Sequence, residues 1–309
     1  MHFHIVTPSY NQAAWLRCCL ASVRDQVEAD PGIRVHHHVQ DGGSPDETLV
    51  LLQAHEREVT AAHAAGREDH YTFSFAHEPD DGMYDAINRG WKLAGSDTDI
   101  VAHLNCDEQY LPGALARIEQ AFRQRPDVEV LLADLIVVDR DGNYICHRRS
   151  LKPYPLLSRF CCAGFTASTF QRIGVTRDKQ VFFDTSWRNF GDKVWYNALH
   201  RAGARFAVAH ELVSIFTDTG ANLNWTEEGL REKRRYELEY QFGSGLGTNV
   251  IAKWNAVRRL VLEMSCTAPT EYALYPPQGA ARETRSITKA SGLWHKRWPE
   301  RGGTTDDTD

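Results

Sequence analysis

The chain has 309 residues, 42% hydrophobic and 25% charged, which is enough apolar material for one large globular domain or two smaller ones. A net charge of −6 excludes a nucleic-acid surface as the main business of the protein, and no apolar run approaches the length that spans a bilayer. Seven cysteines, with adjacent pairs Cys18/Cys19 and Cys161/Cys162 and no CxxC spacing, suggest neither a zinc site nor a disulfide framework. With no signal-peptide pattern in MHFHIVTPSY, a reducing cytoplasm is expected.

Residues 3 to 7, FHIVT, read as a first strand, closed by PSYNQ before the helical pattern AAWLRCCLASVRDQ. A second strand, IRVHHHVQ, ends in DGGSPDET. There the glycines allow close backbone approach, Ser44 and Asp46 are candidate N-caps, and a helix is expected from Thr48 to Asp69. The triplet His36 to His38 is not a metal site by this reading, because the middle side chain of a strand points opposite to its neighbours. YTFSFAH is a third strand.

In EPDDGMYDAINRGWKLA a turn with Pro79 and Gly82 leads into a helix whose Met83, Ala86, Ile87, Gly90 and Leu93 are expected to face a sheet. The run IVAHL is a fourth, buried strand, and it delivers Asn105, Cys106, Asp107 and Glu108 to its end. Asn105 and Asp107, two apart on an extended segment, would place two oxygen ligands on one side, an arrangement suited to Mg2+ or Mn2+. The competing reading is a polar cap on the helix LPGALARIEQAF, with Pro112 in its first turn. Four strand-helix alternations imply an α/β fold with a doubly wound, mainly parallel sheet, whose ligands bind beyond the carboxyl ends of the strands.

After Pro126 the pattern changes. VEVLLADLIVVDRDGNYICHRR reads as a hairpin that adds antiparallel structure. Asp192 opens a helix with Val194, Trp195, Ala198 and Leu199 on one face and Gly203 at its end, and the helix dipole there favours an ionised carboxylate. From about residue 225, WTEEGLREKRRYELEYQF and IAKWNAVRRLVLEM read as two amphipathic helices. A loosely patterned tail follows and ends in an acidic, disordered TTDDTD. On the second of these helices Trp254, Val257, Leu260 and Val261 share a face, with Lys253, Arg258 and Arg259 near its edge. That face is expected either to pack on the rest of the protein or to touch a membrane surface.

Four ordered segments, TPSYNQ, DGGSPDET, EPDDGMYDAINRG and LNCDEQY, resemble the inverting family 2 glycosyltransferases of the GT-A fold, most closely bacterial enzymes of surface-polysaccharide and exopolysaccharide synthesis. The resemblance covers roughly residues 3 to 222. It implies a GT-A domain over 1–224, split into a nucleotide-sugar half (1–125) and an acceptor half (126–224), with 225–309 as a helical extension. It also implies a nucleotide-diphospho-sugar donor, a UDP-sugar first, a Mn2+ or Mg2+ ion on its phosphates, and a saccharide or lipid-linked saccharide acceptor.

By motif position Pro8, Ser9, Tyr10 and Asn11 would line the nucleotide. Asp41 would accept from the base, with Gly42 beside it, and Asp80, Asp81, Gly82 and Asp85 would lie near the ribose and sugar. Asn105 and Asp107 would be the DxD motif, with Asn105 where many members carry aspartate. Asp192 would be the general base, with Gly191 where the usual pattern has an acidic residue or alanine. FTDTGANL matches a loop that often closes over the donor. A nucleotidyltransferase would carry a glycine-rich phosphate loop followed by Lys or Arg, which TPSYNQ lacks. A non-catalytic sugar-nucleotide module would be favoured by loss of Asp107 or Asp192, and both are present.

Overall fold

The structure is a computed structural model that describes residues 1–30, 32–67, 70–219, 226–241, 245–264, 267–279 and 281–292. In chain order the elements are β1 (His2–Ser9), α1 (Ala13–Arg24), α2 (Gln26–Ala29), β2 (Arg34–Asp41), α3 (Thr48–Ala64), β3 (Tyr71–His77) and α4 (Met83–Lys92). They continue with β4 (Ile100–His103), β5 (Gln109–Tyr110), α5 (Ala114–Gln124), β6 (Val130–Asp139), β7 (Tyr144–Arg148), α6 (Pro155–Ser158), β8 (Thr169–Arg172) and α7 (Ile173–Arg177). The last are α8 (Gly191–Arg201), β9 (Phe206–Asp218), α9 (Glu227–Tyr240), α10 (Gly245–Met264), β10 (Glu271–Leu274) and β11 (Glu283–Ser286).

The main sheet runs β3-β2-β1-β4-β8-β6-β9-β5, with β7 paired to β6. Strands β3, β2, β1 and β4 are parallel, β8 is antiparallel to both β4 and β6, and β9 runs parallel to β6. One layer, α1 and α5, buries Cys19, Val23, Leu115, Ile118 and Phe122 against one face. The other layer, α4 and α8, buries Tyr84, Ile87, Trp91, Trp195 and Leu199 against the opposite face. Covered on both sides, the parallel strands β1, β2 and β4 are buried almost throughout, and they carry buried polar side chains, among them His4, Thr7, His37 and His38, beside the apolar ones expected of such strands.

Several local expectations change. On α4, Met83 and Leu93 are exposed, and Tyr84 and Trp91 take the inward face instead, because their rings stack with Phe183 at 4.9 and 5.3 Å. Gly90 lets α4 close on the sheet, since a Cβ there would stand 2.5 Å from Val6 Cγ1. The helix after Thr48 stops at Ala64, with Gly66 at φ +62°, and Asp69 lies outside the described residues. Residues 105–108 form a tight turn closed by Glu108 N–H donating to Asn105 O at 3.0 Å, and β5 follows it. The acidic turn therefore does not cap α5, whose cap is Gly113, and Pro112 precedes that helix.

The tail expected to be loosely patterned contains β10 and β11, paired antiparallel, with Tyr272 and Leu274 packed on Ile136, Val138 and Ile215. Arg282 clasps Asp25 at 2.6 and 2.9 Å. Four-residue strands carry too little periodicity to show in sequence. TTDDTD lies outside the described residues.

Candidate active site

Strands β1, β2 and β4 end at one sheet edge, with Ser9 paired to Asp41 and Val6 to His103. Gly42 N–H donates to Ser9 O at 2.9 Å. Asp41 is fully buried: its carboxylate accepts from Ser44 Oγ at 2.5 Å and Ser44 N at 2.9 Å, and His77 Nδ1 lies 2.6 Å away. The Ser44 hydroxyl in turn accepts from Asn11 N at 2.7 Å, with Asn11 at φ 53°.

Asp41 thus ties the turns after β1 and β2 together through three of its roughly four acceptor sites. Ser44, a candidate helix cap by sequence, serves this network instead, while Asp46 accepts from Thr48 N at 3.0 Å at the start of α3. Tyr10 leaves this turn 63% exposed, a free ring for stacking.

Two oxygens at this edge are buried and without a partner among the described residues: Ser9 Oγ and Asn105 Oδ1. A buried unsatisfied acceptor costs roughly 1–3 kcal/mol unless water or a ligand supplies the missing bond, and these two stand at the sheet edge where α/β folds bind ligands. Beside them the 105–108 turn is braced by Asn105 N–H donating to Glu108 Oε2 at 2.9 Å and by Thr217 Oγ1 donating to Asp107 O at 2.6 Å. Asn105 and Asp107 remain partly exposed while Cys106 and Glu108 are buried. The alternation expected of a strand survives in a turn. Burial raises the pKa of both Asp107 and Glu108, and Asp107 adds to the rise at Glu108.

The opposite wall is the start of α4. Asp80 accepts from Gly82 N at 2.8 Å and packs on Gly42, where a Cβ would meet Asp80 Oδ2 at 3.1 Å. Asp85 accepts from Asp81 N at 3.1 Å and pairs with Arg89 at 2.7 Å, leaving Asp81 as an exposed carboxylate on this rim.

Asp192 meets this wall through Tyr84, whose hydroxyl accepts from Asp192 N at 3.2 Å. The Asp192 carboxylate takes Lys193 N–H at 2.7 Å, and the Cys162 thiol faces it at 3.9 Å. Although the side chain keeps some exposure, burial is the largest influence on it and raises its pKa, with the neighbouring Lys193 charge opposing. The ionised form favoured by the helix dipole is therefore not the dominant effect.

The family model described as Glycosyl transferase family 2 matches residues 4–211. The chain belongs to that family. A mycobacterial relative, the PGL/p-HBAD biosynthesis glycosyltransferase of Mycobacterium tuberculosis, is 30% identical over 135 residues, 44% of this chain and 47% of the relative. The chain spans about half the length of the curated relatives it matches. Among solved structures, S. aureus TarS superposes with a TM-score of 0.55 at 17% identity, covering 77% of this chain and 39% of that one. Mannosyltransferase PcManGT from Pyrobaculum calidifontis, solved with GDP-Man and Mn2+, gives 0.53 at 13% identity, covering 86% and 76%. These likenesses establish the GT-A fold.

Within this glycosyltransferase strand pairing brings the turns after β1, β2 and β4 to one sheet edge, Asp80 packs on Gly42, and Tyr84 of α4 links that wall to Asp192. Residues 220–223 of FTDTGANL lie outside the described residues.

Sequence reading missed Tyr84, Arg188, Cys162 and Glu232. Glu232 of α9 accepts from the backbone N–H groups of Arg188, Asn189 and Phe190 at 2.5, 2.7 and 3.1 Å, fixing the loop that delivers Asp192. The Gly191 departure also has its reason: the Tyr84 ring fills the space a Cβ there would need. The Arg188 guanidinium does the same at Gly82.

Proposed function

We propose that this glycosyltransferase moves a sugar from a nucleoside-diphospho-sugar, a UDP-sugar first, to a hydroxyl of a saccharide or lipid-linked saccharide, with inversion. The setting is cytoplasmic synthesis of bacterial surface polysaccharide. The observation that carries the reading is the pair of orphaned oxygens, Ser9 Oγ and Asn105 Oδ1, beside Asp107 at the carboxyl edge of the sheet, where open α/β sheets bind ligands. It is supported by the structural neighbours solved with donors, TarS with UDP-GlcNAc and the archaeal mannosyltransferase with GDP-Man and Mn2+.

The Asp107 carboxylate and the free Asn105 Oδ1 fit a hard divalent cation. Among the described residues no group of three or more His, Cys, Asp or Glu could hold an ion by itself, so donor phosphates would complete the shell, as is usual for Mg2+ and Mn2+. When bound, such an ion neutralises the charge that develops on the departing diphosphate. Ser9 gains its missing partner from the donor and Asn105 would gain its own from the ion, Tyr10 offers its ring to the base, and Asp41 holds the two turns in register. Asp80 and Asp81 face the ribose and sugar.

Asp192 accepts the acceptor's hydroxyl proton as that oxygen bonds to the anomeric carbon and the diphosphate leaves from the other side. One carboxylate acting in line gives inversion. Calorimetry with UDP and GDP, in Mn2+ and in EDTA, tests the donor half. Binding of at least one nucleoside diphosphate is expected, weakened tenfold or more by EDTA and by Asp107→Asn. Equal affinity in EDTA would remove the metal, and no binding by either nucleotide would overturn the donor assignment.

A further inference from the structure

Helix α10 is oriented against the usual rule for a surface helix, which buries its apolar stripe and exposes its polar face. Its inward side carries Asn255, only 8% exposed, and Arg259, whose guanidinium donates to the carbonyls of Arg149 and Cys162 at 2.7 and 3.0 Å. Its outward side carries Val250, Trp254, Val257 and Val261, each 50–64% exposed. At helical pitch these four fall within an arc of roughly 60°, facing away from Asn255 and Arg259.

Lys253 and Arg258 flank the stripe on its two edges. The Arg258 guanidinium stacks over the rings of Trp254 at 4.8 Å and Tyr154 at 5.7 Å. It thereby joins the stripe to Tyr154 and Leu156, themselves 46% and 57% exposed, next to exposed Lys152.

We propose that this face docks on an anionic phospholipid bilayer. Aliphatic side chains in a narrow stripe, aromatic rings at its rim and cations on both edges match the acyl boundary, the interface and the phosphate layer in turn. The chain as a whole carries −6, so the basic fringe is a local departure that complements anionic headgroups. A second copy is the poorer occupant, because self-pairing sets one basic fringe against another. No helix among the described residues is long and apolar enough to cross a membrane, so the contact is peripheral.

The placement also bears on the acceptor, a point that rests on the function proposed above. Arg259 holds the Cys162 carbonyl and the Cys162 thiol faces Asp192, so α10 packs next to the proposed base and the bilayer would lie on the far face of that helix. A lipid-linked acceptor would enter there without leaving its membrane.

The test uses the full chain and vesicles of phosphatidylglycerol mixed with phosphatidylcholine, compared with phosphatidylcholine alone. Co-sedimentation is expected with the anionic vesicles at low salt and should weaken as salt rises. The double variant Val257→Asp/Val261→Asp should cut partitioning about tenfold or more. Val50→Asp, an equally exposed apolar site on α3, should not. Protein left in the supernatant at low salt, or undiminished binding by the double variant, would overturn the proposal. So would a dimer in solution that the double variant dissociates. Circular dichroism confirms that the variants fold, and because the readout involves neither donor nor transfer, its failure is distinct from failure of the proposed activity.

Discussion

At the scale of a single residue, Asp192 separates two effects that act on a carboxylate in the first turn of a helix. The dipole favours the charged form by a few tenths to about 1 kcal/mol, whereas burial opposes it and prevails here. A raised pKa makes Asp192 a better proton acceptor than an exposed aspartate, and it also makes the charge a liability to the fold at neutral pH. For an acid shifted this way, the stabilising contribution is complete below the unfolded pKa and is lost as pH rises through the folded value. Asp192→Asn keeps the shape of the side chain and can still accept from Lys193 N–H, so it should melt no lower than wild type at pH 7. It should keep donor affinity and lose roughly a hundredfold or more in transfer rate. In the wild type, kcat/KM should fall with acid along a limb centred above the ordinary aspartate value of about 3.9. A variant that transfers sugar at near wild-type rate would remove Asp192 as the base and direct attention to Asp184 or Asp218.

At the scale of elements, two contacts decide where the site residues stand. Glu232, on α9, receives three backbone N–H groups from residues 188–190, and without it those donors are left in a mostly dry environment. Glu232→Ala should lower stability by about 1–3 kcal/mol and depress kcat more than donor affinity, because the loop positions Asp192 and not the nucleotide turns. Glu232→Gln, which can still accept, should recover part of both. Equal loss of donor affinity and rate would reassign Glu232 to general stability. The second contact is α4 on the sheet. Gly90→Ala sets a methyl 2.5 Å from Val6 Cγ1, and overpacking of this kind costs about 1–3 kcal/mol. Val6→Ala in the same chain should restore much of that loss, and a purely additive double variant would show that the two positions are not in contact.

At the scale of the whole molecule, the parallel sheet contains a set of neutral imidazoles. Burial holds His4 and His103 down at about 3 and His36 and His55 at about 4. His4 Nε2 pairs with Gly90 O at 2.9 Å while its Nδ1 has no partner among the described residues, His36 Nε2 pairs with Ser74 Oγ at 2.8 Å, and His55, on α3 beside the sheet, pairs with the Tyr71 hydroxyl at 3.1 Å. The unfolded chain takes up these protons below about pH 6.5 and the native chain does not. Stability is thus full above pH 6.5 and falls as the medium is acidified toward the folded values, by about 1.4 kcal/mol per pH unit for each such group. From pH 6.5 to 5 the histidines lower the melting temperature, and the raised Asp107, Glu108 and Asp192 carboxylates offset part of that loss, so replacing His4 or His103 by a neutral residue should flatten the acid limb. An acid limb unchanged by those replacements would show these histidines to be solvated in solution.

The sequence by itself determined the strands, read at 3–7, 33–40, 71–77 and 100–104, the doubly wound class, and four polar turns that follow or precede them. These follow from side-chain alternation, helical spacing and turn chemistry, all of which act over a few residues. Only the tertiary structure decided that Tyr84 and Trp91, not Met83 and Leu93, face the sheet, since that depends on Phe183 lying nearly a hundred residues further along the chain. It likewise decided that Asp41 is occupied as a hub, that Asp192 is shifted upward by burial, and that Glu232 from the C-terminal region governs the loop before it. The outward turn of the α10 stripe has the same origin. The periodicity of that helix specified a face, but which way the face points was settled by Arg259 finding two carbonyls on a surface remote in sequence.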